Sequence, residues 1–167
     1  RDFGARVPRV LADACPLGPA GDVNGDGYAD VVGGAIYFGS PVGPAATAAA
    51  TRALEGCGTG VGDVDGDGFG DVMVGAEVVY GAWSGLAAEA EWRFDDVYRA
   101  VAAQDVDGDG FDDLLLAAPG FSSDGLTQRG RAQLYQGSAQ GPALPPSWTR
   151  MGDAAYEWFG ECVAGAG

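Results

Sequence analysis

Three nonapeptides concentrate the chemistry of this chain: DVNGDGYAD from Asp22 to Asp30, DVDGDGFGD from Asp63 to Asp71 and DVDGDGFDD from Asp105 to Asp113. Side-chain oxygens fall at positions 1, 3, 5 and 9, with glycine at positions 4 and 6. That pattern is an oxygen cage for a hard cation. Ca²⁺ takes about 6–8 oxygen ligands at about 2.3–2.6 Å, and a tight loop supplies them from alternate positions where glycine permits the turn. The candidate ligands are Asp22, Asn24, Asp26 and Asp30, then Asp63, Asp65, Asp67 and Asp71, then Asp105, Asp107, Asp109 and Asp113. Position 7 is Tyr28, Phe69 or Phe111, whose carbonyl would fill the remaining slot and leave the ring to pack. The ligand positions carry three, four and four formal charges. Carboxylates so close repel one another, so without a cation some protonate or the loop loosens. We expect one Ca²⁺ per loop, three per chain, with Mg²⁺ the weaker candidate because it prefers near-ideal octahedral geometry and keeps waters.

An EF-hand loop opens in the same way, but it needs glutamate at position 12 and a following helix. Position 12 here is Gly33, Val74 or Leu116, and each loop runs into a short apolar stretch, VVGG, VMVGA or LLLAAP. Such runs read as buried strands, so each loop joins two strands.

The first aspartates are 41 and 42 residues apart, and a repeat of that length is one supersecondary unit that needs its neighbours. Each unit reads as strand, metal loop, strand, strand, Gly-rich turn and final strand. The second and third strands are Val31–Val32 with Ala35–Phe38, Val72–Val74 with Glu77–Tyr80, and Leu114–Leu116 with Ala132–Tyr135. The turns are GSPVG, GAWSG and GSAQG, and the final strands Thr47–Leu54, Glu89–Phe94 and Ser147–Arg150. A helix over Ala45–Ala53 is the exception its alanines allow. Residues 1–21 read as two weak strands. Four antiparallel strands per unit make a β-propeller blade, so the fold expected is all-β, a single partial propeller over residues 1–167 of about three blades with partial terminal strands. The third unit is longer, through Pro119–Gly130 and again around Met151–Phe159. Both connections fall on the face opposite the metal loops, and long loops on a rigid scaffold are where binding usually sits.

Composition limits function further. The 167 residues, 47% of them hydrophobic, suffice for one domain with a real core. Eleven of the 24 acidic residues sit at the ligand positions, and three Ca²⁺ would bring the net charge of −15 to −9. So acidic a surface repels nucleic acid and anionic membrane. No stretch is long and apolar enough for a membrane span or reads as a signal peptide, and the absence of an initial methionine points to a processed or excerpted chain. There is no histidine and no lysine, which removes the usual general base at neutral pH. Weak Ca²⁺ sites suit the calcium-rich exterior, so an extracellular or cell-surface location is expected.

The calcium loops, the AAPG at Ala117–Gly120 and the Phe159–Gly160 pair leading to VAGAG resemble FG-GAP repeats, those of the integrin α-subunit propeller and its bacterial relatives. The resemblance spans nearly the whole chain. It implies structural Ca²⁺ in the hairpin between strands 1 and 2 of each blade, with the position 7 carbonyl completing the ligand set. It implies a non-catalytic binding or adhesion scaffold. A lectin-like carbohydrate binder is the alternative, and a Ca²⁺-dependent polysaccharide-cleaving enzyme fragment a third. The chain departs from the usual seven blades. It has three loops, starting at Asp22, Asp63 and Asp105, and an unpaired first-strand-like end at 159–167. An open arc exposes strand edges, so the ring is expected to close through a homodimer or through further blades of a longer chain. Cys15, Cys57 and Cys162 read as small buried side chains of innermost strands, with a Cys15–Cys57 bridge or an intermolecular bond through Cys162 as the alternatives. Trp83, Trp92, Trp148 and Trp158 are expected to pack between blades.

Overall fold

A computed structural model describes residues 15–49, 53–88, 92–95 and 99–165. Among them there is no helix, which removes the helical reading of 45–49. The first repeat folds as β1 (Gly18–Gly21), β2 (Asp30–Val32) and β3 (Ile36–Tyr37) in one sheet of order β1-β2-β3. The second supplies β4 (Gly58–Gly62), β5 (Asp71–Val74), β6 (Glu77–Val79) and, after the hairpin of β7 (Gly81–Ala82) and β8 (Gly85–Leu86), β9 (Trp92–Arg93). Its sheet runs β4-β5-β6-β9. The third gives β10 (Arg99–Gln104), β11 (Asp113–Ala118), β12 (Arg131–Tyr135) and β13 (Trp148–Met151), in that order across the sheet. All strand pairs within these sheets are antiparallel.

The expected final strand of the first repeat is corrected. The described parts of Thr47–Leu54 carry no strand, although Ala49 donates to the Ile36 carbonyl at 2.8 Å along the path a fourth strand would take. Residues 45–49 are Ala-Ala-Thr-Ala-Ala, with little β-branched or aromatic surface to pair across a sheet. No strand covers 159–165 either. That segment touches the third sheet through a bridge of Phe159 to Gly130, and a Cβ on Gly165 would collide with the Ala102 carbonyl. The strand expected within residues 1–14 lies outside the described residues.

The core lies between sheets. Ala20, Val23, Val32 and Ile36 of the first repeat meet Val72, Val74, Val79 and Leu86 of the second. Val61, Val64, Met73 and Val78 of the second meet Leu114, Leu116 and Tyr135 of the third. Period-2 alternation makes this arrangement work: β5 sends Val72 and Val74 to one neighbour and Met73 to the other, so all four of its residues are buried. Each innermost strand shifts register just before its metal loop, at Pro19/Gly21, Gly60/Gly62 and Ala102/Gln104. The residue before the first aspartate has a left-handed φ each time, 77° at Gly21, 86° at Gly62 and 60° at Gln104. The bulge turns the strand outward into the loop.

Two expectations about single residues fail. Cys15 and Cys57 form a disulfide with a Cα–Cα distance of 5.1 Å, joining the approaches to β1 and β4, and Cys162 is exposed. These cysteines precede their strands rather than lying within them, so the burial of an innermost strand does not reach them. Trp92 does pack against the second core, but Trp83, Trp148 and Trp158 are exposed.

Candidate metal centres

Each metal loop occupies the hairpin between the first two strands of its sheet, and the same hydrogen-bond pattern folds all three. At position 1, Asp22 Oδ1, Asp63 Oδ1 and Asp105 Oδ1 each accept the position 5 N–H at 3.0 Å. Their Oδ2 atoms accept the position 6 glycine N–H at 2.7–2.9 Å. Position 3, which is Asn24, Asp65 or Asp107, also accepts the position 5 N–H, at 3.1–3.2 Å. Position 5, Asp26, Asp67 or Asp109, accepts the position 7 N–H. Glycine at positions 4 and 6 has φ between 71° and 96°, a conformation other residues adopt at a cost.

Position 9 does something else. Asp30, Asp71 and Asp113 are buried, and both carboxylate oxygens of each are engaged. One oxygen accepts the position 2 N–H, from Val23, Val64 or Val106, at 2.8–3.1 Å. The other accepts a glycine N–H from the turn after the third strand, from Gly39, Gly81 or Gly137, at 2.7–3.0 Å. This aspartate ties the loop to the far hairpin of its own sheet. The tie is absent from the sequence reading, which gave position 9 a ligand role alone. Its signal was the glycine opening each of GSPVG, GAWSG and GSAQG.

In the second loop the structure brings one oxygen each of Asp63, Asp65 and Asp71 within 4.8 Å of one another, and in the third Asp105, Asp107 and Asp109. Asp67 and Asp113 stand outside those groups. In the first loop Asn24 replaces a carboxylate, and its amide donates to Asp26 Oδ2 at 3.1 Å. Burial pushes the Asp71 carboxyl up to about 8; N–H bonds from Gly81 and Val64 oppose this, and the charges of Asp65 and Asp63 add to it. Burial also raises Asp30, Asp65 and Asp113. Arg93, Arg99, Arg129 and Arg150 pair with Glu77, Glu161, Asp124 and Asp153, all outside the loops. The donor set is therefore all oxygen, strongly anionic and without a facing guanidinium among those pairs. That is the chemistry a hard divalent cation fits.

The loops also join neighbouring sheets. The Phe69 ring lies over Gly25 of the preceding loop, where its Cε1 would be 2.6 Å from an added Cβ, and Phe111 lies over Gly66 in the same way. The position 8 N–H crosses too, from Gly70 to the Asp22 carbonyl at 2.7 Å and from Asp112 to the Asp63 carbonyl at 3.0 Å.

Residues 97–135, from the innermost strand through the third metal loop to β12, match the family model of the FG-GAP repeat. That stretch is similar to an FG-GAP repeat. No curated protein matches the chain. The FG-GAP repeat is a propeller blade, and with antiparallel sheets of three and four strands on the other two loops the fold is all-β, of the β-propeller class. At the end of the third sheet remote from the metal loops, Pro119–Gly130, inside the matched stretch, and Gly152–Phe159, beyond it, lie against each other. Tyr156 and Trp158 donate to the Thr127 and Gln128 carbonyls, and Arg131 stacks 4.1 Å from the Phe121 ring centroid.

Proposed function

We propose that the chain is a calcium-stabilised, integrin-like propeller that serves as a non-catalytic binding or adhesion scaffold outside the cell. The threefold repetition of one amide-to-carboxylate pattern carries this reading. A loop that gathers three or four anionic residues around its own N–H groups, with burial resisting ionisation, gains most from a resident cation. The ligands would be Asp22, Asn24, Asp26, Asp30 and the Tyr28 carbonyl, Asp63, Asp65, Asp67, Asp71 and the Phe69 carbonyl, and Asp105, Asp107, Asp109, Asp113 and the Phe111 carbonyl. The calcium is structural, holding adjacent loops in the shape that seats Phe69 and Phe111.

The ligand face is the one bearing Pro119–Gly130. The blades at either end of the array are complementary halves of one joint. Val23 and Val64 are fully covered by the next sheet, whereas Val106 is 59% exposed, and nothing lies within 4 Å of a Cβ on Gly108. Tyr28, the counterpart of the seated Phe69 and Phe111, is 42% exposed. Another blade, from a second copy or a longer chain, fits that joint.

A carbohydrate ligand is the second reading, favoured by the exposure of Trp83, Trp148 and Trp158. Native mass spectrometry in Ca²⁺ buffer tests the primary one: three ions per chain are expected, and a chain that takes up none would overturn it.

A further inference from the structure

Among the described residues, four of the five non-glycine residues with left-handed φ lie in the two long connections of the third sheet: Asp124 at 52°, Gln128 at 49°, Tyr156 at 61° and Trp158 at 55°. Aspartate visits that region readily, but for a bulky side chain it is a true outlier. Tyr156 and Trp158 adopt it one residue apart, and both rings stay exposed, 64% and 42%. Core packing therefore does not explain the rings.

The surroundings hold this conformation firmly. Tyr156, Trp158 and Phe159 donate their N–H groups to the carbonyls of Thr127, Gln128 and Arg129 at 2.8–3.2 Å, and Gly152 donates to Gly130 at 3.2 Å. Arg129 Nε donates to the Gly152 carbonyl at 2.7 Å, and Glu157 Oε2 accepts from Asp153 at 2.5 Å and from Ala154 at 2.9 Å. Strain that persists because its neighbours over-determine it is a mark of a working site, and rigid rings with polar tips are efficient contact groups.

We propose that Tyr156 and Trp158 form a stacking platform for a neutral oligosaccharide, an inference that rests on the binding-scaffold reading and names its ligand. The segment carrying the rings and the one hydrogen-bonded to it are rich in hydroxyl, amide and carboxyl side chains, namely Ser122, Asp124, Thr127, Gln128, Asp153 and Glu157, with Leu126 their one large aliphatic side chain. Flat apolar rings among such groups match a sugar, whose ring faces are C–H and whose rim is hydroxyl. A protein partner would call for a broader contiguous apolar patch. The net charge of −15 opposes anionic glycans and leaves neutral ones.

The test titrates the calcium-loaded chain with cellohexaose, mannohexaose and chitohexaose, read by tryptophan fluorescence and calorimetry. At least one should bind and perturb the emission, and Tyr156→Ala or Trp158→Ala should weaken it by about tenfold or more. Trp83→Ala, at the metal-loop end, should leave binding unchanged. If the alanine variants melt low, Tyr156→Gly and Trp158→Gly remove the rings in a residue suited to this φ. A folded chain that binds none of the three sugars overturns the proposal, as does binding that survives loss of both rings. Ion count by native mass separates the two readings. Glycan binding that needs the rings in a chain taking up no Ca²⁺ sinks the calcium scaffold and keeps the platform, and three ions with no glycan binding does the reverse.

Discussion

At the scale of the residue, Asp71 bears the largest burden. It is fully buried, satisfies two backbone N–H groups and faces Asp65 and Asp63 across the loop. Its carboxyl, raised from 3.8 to about 8 in the metal-free fold, stabilises that fold fully below about pH 4 and loses the contribution as pH rises through about 8. Asp30, Asp65 and Asp113 shift in the same direction. Melting of metal-stripped protein should therefore fall in temperature from pH 4 to pH 8, and saturating Ca²⁺, which favours the carboxylates, should abolish or invert that slope. A flat profile in both conditions would sink the account. Replacing Asp71 by Asn turns one acceptor into a donor facing an N–H, at a cost of about 1–3 kcal/mol. Gln104 offers the opposite test. It holds at φ 60° the position that glycine holds in the other two bulges. Gln104→Gly should stabilise by up to about 1 kcal/mol, since the relief of left-handed strain exceeds the added freedom of the unfolded chain. Denaturant unfolding measures the sign.

At the scale of the element, the strands that follow the loops were legible because VVGG, VMVGA and LLLAAP are apolar runs of strand length closed by small residues. The loops were legible because a ligand pattern fixes position as well as type. Less could be read where packing depends on what lies across a gap. Trp83 looks like core in sequence, yet it caps the β7–β8 turn, meets Phe69 edge-on at 5.2 Å and remains 81% exposed. The cysteines were ambiguous for a different reason. Cys15 stands seven residues before its motif and Cys57 six, spacings that place both on an innermost strand in sequence, but both precede the strands that form. The resulting bridge spans 42 residues and joins two sheets. Loop-closure entropy assigns a crosslink of that length about 4 kcal/mol. Cys15→Ser with Cys57→Ser should lower the stability of the calcium-loaded chain by up to that amount, measured by denaturant unfolding. An unchanged midpoint would mean that packing between the first two sheets holds those approaches without the bridge.

At the scale of the whole molecule, each sheet completes its neighbour's core. The centre of the array is consequently sealed and its ends are not. Val64 is buried because the third repeat covers it; Val106 has the same place in its own loop and, among the described residues, stays 59% exposed. Because the joint consists of one loop's aromatic ring set on the preceding loop's glycine, metal binding and blade association share the same residues. This makes a joint prediction. Val106→Glu and Tyr28→Ala touch exposed side chains, so each should shift the melting of the isolated chain by less than about 0.5 kcal/mol. Each should nonetheless weaken any association that seats Tyr28 over Gly108, and removal of Ca²⁺ should weaken it further by loosening both loops at once. Sedimentation of wild type and both variants, with and without chelator, reads all of these conditions. Association that is indifferent to both substitutions would place the contact elsewhere on the surface. Association lost on chelation yet intact in Val106→Glu would keep calcium as the stabiliser of the blades and remove the open joint as the place where they meet.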